Sequence, residues 1–167
     1  MNILHFQSTT FASSIQTGLM IKQIPWFERK FTLDYPTGIY PCLLERFRGT
    51  PARIEEMVRD ISPVILTAKP GGKWSMQEHV GHLYDLEELG EMRAKDYQQS
   101  LPTLSVADLR NRKTEEAHHN SRAIRELLVD FRAARIHLAG VLEHFSEDEI
   151  TRRAVHPRLN QSMRAID

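Results

Sequence analysis

Between residues 114 and 145 one stripe of side chains recurs without a miss. Ala117, Ser121, Ile124, Leu128, Phe131, Arg135, Leu138, Leu142 and Phe145 follow one another by steps of four and three. An α-helix completes a turn in about 3.6 residues, so these steps keep the whole set on one face. Such a seam packs against other helices with coiled-coil-like geometry, which constrains the chain to a helical bundle. Strand signals are nearly absent: no stretch alternates apolar and polar residues for long, and neither Asn-Gly nor Asp-Gly occurs. Ser121 and Arg135 are the polar members of the seam. An internal guanidinium needs partners; Arg135 either pairs with Glu78, Asp85 or Glu87 as structural glue or holds an anionic substrate.

Two further helices precede this one. Thr50 and Pro51 make a helix start, and Ile54, Met57, Val58, Ile61 and Ile65 then define one buried face. Pro63 interrupts it, with Ser62 as the new cap, and "KPGGK" stops it. The next helix opens on a Ser-x-x-Glu capping box, Ser75 with Glu78, and runs to about Gln99. Ser105 with Asp108 suggests a capped helical turn in the following connection, and Ser146 with Glu149 a capping box for a short helix. "VHPRLN" reads as a loop, with a new helix starting around Ser162. The expected architecture is an all-α, antiparallel up-down bundle of three long helices plus the start of a fourth. Residues 1–22, almost devoid of charge, read as a disordered tail, with Met20 as an alternative translation start. Residues 23–49, with prolines 36 and 41, read as an extended arm and a short helix over 42–47, and residues 50–167 as the bundle.

At 167 residues the chain supports one core. Lys plus Arg and Asp plus Glu both number 22, and the charges interleave, so no basic surface points to nucleic acid. No apolar run reaches the roughly 18 residues that cross a bilayer. The single cysteine, Cys42, excludes an intrachain disulfide, fits a reducing, cytoplasmic setting, and has apolar neighbours that suggest a buried, inert thiol. Gly-x-Gly-x-x-Gly, phosphate-loop, Gly-x-Ser-x-Gly and Cys-x-x-Cys motifs are all missing from the sequence.

Eight histidines remain as candidate chemistry. A metal site takes about three protein ligands from different helices, or two at i and i+4 on one helix, and no His-x-x-x-His occurs. His79 and His82 lie three apart on the second helix. His82 falls on or beside the apolar face, as a metal ligand or as a hydrogen-bonded core histidine. His118 and His119 read as exposed, His137 and His144 as surface residues, and His156 as a loop residue able to overhang the end of the bundle.

The stretch "KWSMQEHVGHLYDLE", preceded by "GTPARIEEMV" and followed by "HPRLNQSMRAID", resembles the DinB superfamily, including its YfiT-like metal-dependent members and bacterial thiol transferases. The similarity spans roughly residues 41–167 and is most specific at Trp74 with His82 eight residues on. It implies a commonly dimeric four-helix bundle that binds a divalent metal of the Zn, Ni or Fe class through three histidines. His82 matches one of them; a His-x-x-x-His pair on a fourth helix supplies the others, and this sequence stops before that pair. The chain is then cut short, completed by a second copy, or carries a decayed site; His156 is a weaker substitute. The implied activity is a divalent-metal-dependent hydrolase or thiol transferase acting on a small molecule or low-molecular-weight thiol. The alternative is a non-catalytic bundle acting through dimerisation.

Overall fold

The computed structural model describes residues 24, 25 and 28–167. The expected tail over 1–22 lies outside them. The chain divides into two units, Met1–Phe31 and Thr32–Asp167. In the first, Glu28 N–H donates to the Pro25 carbonyl at 3.0 Å.

The second unit holds the bundle. A 3-10 turn at Thr37–Ile39 leads into α1 (Tyr40–Arg48) and α2 (Thr50–Val58), which meet at Gly49 and share the task of one stave against the last long helix. A single turn, α3 (Pro63–Leu66), follows, and then α4 (Met76–Gln98), α5 (Arg112–Glu116), a 3-10 turn at His119–Ser121, α6 (Ile124–Glu143) and α7 (Glu147–Thr151). The chain closes with a two-stranded antiparallel hairpin, β1 (Arg153–His156) and β2 (Gln161–Arg164), in which Ala154 faces Met163 and Val155 faces Ser162.

The all-α bundle is as expected, but one pair of staves runs in the same direction. Glu87 meets Arg135, and Gly90 lies so close to Leu138 that an added Cβ would come within 2.4 Å of its Cδ2. Val80 packs with Leu127 and Leu128, while Ala94 and Tyr97 pack with Leu138 and Phe145. The residue numbers rise together on both helices, so α4 and α6 are parallel. Against α1 and α2, where Phe47 meets Arg135 and Tyr40 meets Leu142, α6 runs antiparallel. Parallel neighbours require a long return connection; residues 99–123 provide it.

That return shortens the seam helix. The expected helix from residue 114 breaks at His118, whose φ of +48° takes it into the left-handed region, and α6 starts only at Ile124. Ala117 and Ser121 are therefore exposed, whereas Leu128, Phe131, Arg135, Leu138 and Phe145 are buried as the spacing predicts. The first long helix ends at Val58, ahead of the interruption expected at Pro63, where α3 restarts after Ser62 without a side-chain cap bond; Gly49, not Thr50, holds the cap position of α2, and Met57 and Ile65 face outward at 74% and 55% exposure. Cys42 is exposed, because α1 directs Leu44 inward. Ser105 and Asp108 do not cap a turn together: Ser105 N–H donates to Asp96, while the Asp108 carboxylate accepts from the backbones of Arg110 and Arg112.

The helix start expected around Ser162 is instead β2, and the loop expected over 155–160 narrows to the turn 157–160 between the strands. Val155 N–H donates to the Pro102 carbonyl at 2.9 Å and Leu104 N–H to the Val155 carbonyl at 3.0 Å, so β1 is bonded on both sides. Those partners lie in the return connection, which no local pattern reveals.

Candidate functional site

The parallel arrangement brings the start of α6 beside the start of α4, and the polar residues of the Trp74–His82 stretch fasten the two ends. Ser75 Oγ accepts the Glu78 N–H at 3.0 Å and the Glu78 carboxylate accepts the Ser75 N–H at 2.8 Å, completing the capping box. The same hydroxyl donates to Asn120 Oδ1 at 2.7 Å. Buried Gln77 donates to the carbonyls of His119 and Arg122, at 2.6 and 2.8 Å. Trp74 Nε1 donates to Glu115 at 2.6 Å. Buried carbonyls in a loop need donors, and this motif supplies them.

Beneath these contacts lies a cluster that spacing could not reveal. His119 is not exposed but 2% accessible, its ring seated over Gly81. Its Nε2 is 2.9 Å from Asp85 Oδ2, and the same oxygen accepts the Thr114 hydroxyl at 2.8 Å. Asp85 and Thr114 are buried as well. These partners are 29 and 34 residues apart in sequence; the other ring nitrogen of His119, Nδ1, is buried without a hydrogen-bond partner among the described residues. The expected exposure of both His118 and His119 holds only for His118; the doublet alone gives no signal for which ring turns inward.

His82 is where this cluster reaches the surface. The ring is half-buried, its centroid 5.0 Å from that of Trp74, and Nδ1 lies 3.1 Å from Thr114 Oγ1. Nε2 makes no hydrogen bond among the described residues. Burial pushes the imidazole below its ordinary value of 6.5; the Asp85 carboxylate opposes this, while His79 and His119 reinforce it. His82 is therefore neutral at neutral pH, the state in which an imidazole offers a lone pair. With Asp85 and Thr114 it lines a cavity of 170 Å³ walled also by Leu86, Leu89, Met92 and Val106. That is small beside the roughly 300–1,000 Å³ of typical ligand pockets.

As a metal ligand His82 fits by charge state and exposure, but it stands alone. Among the described residues no group of three or more His, Cys, Asp or Glu side chains is placed to hold a metal ion, and zinc sites take three or four donors. His79, His118, His137 and His144 are exposed. His156 is buried in β1 and feels Arg93, eleven residues along α4 from His82, so it does not join the site.

The family model of the DinB superfamily matches residues 46–166. Among curated proteins, none matches. The fold is similar to that of YfiT from Bacillus subtilis, described as a probable metal-dependent hydrolase with an unusual four-helix bundle topology: TM-score 0.69, 16% identity, covering 83% of this chain and 79% of that one.

Proposed function

The chain belongs to the DinB superfamily, and on that premise we propose that it is a divalent-metal-dependent hydrolase in which His82 is one ligand. The observation that carries this reading is the placement of His82: half-buried, held at Nδ1 by Thr114 and unengaged at Nε2, at the matching position of the Trp74–His82 motif. A divalent ion of the Zn, Ni or Fe class supplies Lewis acidity there, which serves hydrolysis near neutral pH. The described residues do not complete its shell, so the other donors come from outside them. A second copy of the chain is our proposed source, supported by Leu86 and Met92, apolar and about 40% exposed on the same stretch of α4. A thiol as the attacking group, giving transfer rather than hydrolysis, uses the same ligand chemistry. The lone cysteine supports a cytoplasmic setting, and no helix among the described residues is long and apolar enough to cross a membrane.

Elemental analysis and sedimentation of the purified chain test this directly. Stoichiometric metal in a dimer, lost in His82→Ala, is the expected result. Metal content unchanged by His82→Ala overturns the assignment of His82, and a metal-free protein after incubation with Zn, Ni and Fe(II) leaves the non-catalytic bundle as the function.

A further inference from the structure

We propose that Thr114, Asp85 and His119 are positioning residues that fix the proton of His82 on Nδ1 and so leave its Nε2 bare. As a statement about a ligand this rests on the reading above; as a statement about the ring it rests on geometry alone. Asp85 Oδ2 accepts the Thr114 hydroxyl proton at 2.8 Å. A hydroxyl has one proton to give, so towards His82, 3.1 Å away, Thr114 Oγ1 offers only lone pairs. That contact closes only if His82 Nδ1 carries the hydrogen. A neutral imidazole has a single N–H, which leaves Nε2 unprotonated. In free histidine the neutral ring favours the opposite tautomer, with the proton on Nε2, so the protein imposes this one.

The other two residues make the imposition firm. His119 Nε2 donates to the same Asp85 oxygen at 2.9 Å, so two donors hold that oxygen towards Thr114 and rotation would break both bonds. The three side chains are 2–8% exposed, so water is a poor competitor for their bonds, whereas the ring they direct is half-open to solvent. The bare side of Gly81 makes this possible: any Cβ there would come within 2.2 Å of the His119 ring. Metal-bound histidines commonly donate their second N–H to a carboxylate. Here a threonine hydroxyl stands between ring and carboxylate and passes on the same polarity.

Imidazole ¹⁵N chemical shifts of His82 in the metal-free full chain read the tautomer without reference to activity. We expect the wild type to show Nδ1 protonated and Nε2 bare, Thr114→Ser to retain that pattern, and Thr114→Val to move the ring towards protonation at Nε2. A wild-type ring protonated on Nε2, or an unaltered tautomer in Thr114→Val, overturns the proposal. The wild-type spectrum decides it even if Thr114→Val fails to fold. A wild-type ring bare at Nε2 that binds no metal sinks the ligand reading but leaves the relay established.

Discussion

At the scale of single residues, Gly81 and His119 are a matched pair. Alanine is favoured over glycine in a helix interior by about 1 kcal/mol, yet a Cβ at Gly81 would lie 2.2 Å from both Cγ and Cδ2 of His119. The ring cannot retreat without giving up Asp85. Gly81→Ala should therefore lower stability, by about 1–3 kcal/mol as overpacking does, in urea unfolding. In a His119→Ala background the same substitution should be neutral or stabilising, because the clash has gone and helix propensity remains. Equal penalties in both backgrounds would show that the ring is not what excludes the methyl group. Gly81 and His119 are plain to see in the sequence, but that they share a volume is not.

At the scale of elements, the two capping boxes were legible, whereas the single-residue caps expected at Thr50 and Ser62 and the hairpin were not. Ser75 with Glu78 and Ser146 with Glu149 form the two boxes expected from four-residue patterns, because capping is local hydrogen bonding between neighbours. β1 and β2 are four residues each, too short for alternation to register, and β1 depends on bonds to residues 102–104. Their loop is shaped by His156, whose Nδ1 accepts the backbone N–H groups of Arg158 and Leu159 at 3.3 and 3.2 Å. Burial pushes this imidazole below its ordinary 6.5, and Arg93 and Arg158 push it further. The folded state thus binds the proton less tightly than the unfolded chain. The stability it contributes is complete above about pH 6.5 and is lost as pH falls through the lowered folded value. Amide exchange at Arg158 and Leu159 should accelerate beyond its intrinsic pH trend between pH 7 and 5, and His156→Gln should abolish the excess. A flat profile in the wild type would refute this account of the loop.

At the scale of the whole molecule, Arg135 ties three helices together. Its Nε and Nη2 donate to Glu87 of α4, Nη1 donates to the Phe47 carbonyl of α1 at 2.9 Å, and the guanidinium carbon lies 3.7 Å from the centroid of the Phe47 ring. Both charged side chains are under a tenth exposed. Removing one partner of a buried pair strands the other without water, at about 3–5 kcal/mol, whereas replacing both by apolar residues is often close to neutral. Arg135→Met should accordingly lower the unfolding free energy far more than Arg135→Met combined with Glu87→Leu. Chemical denaturation of the two variants checks it, and a double variant as weak as the single one would assign the loss to the Phe47 contacts instead.

The sequence by itself determined that this chain is a helical bundle of the DinB superfamily and where two of its helices begin. Those properties follow from periodicity, capping and a local motif, each complete within a turn or a few turns of helix. Only the tertiary structure decided that α4 and α6 run parallel, and hence that the return connection delivers Thr114 and His119 to Asp85. Helical periodicity carries no information about chain direction: a seam reads the same against a neighbour running either way, and the contacts that settle the direction join residues some 30–50 positions apart.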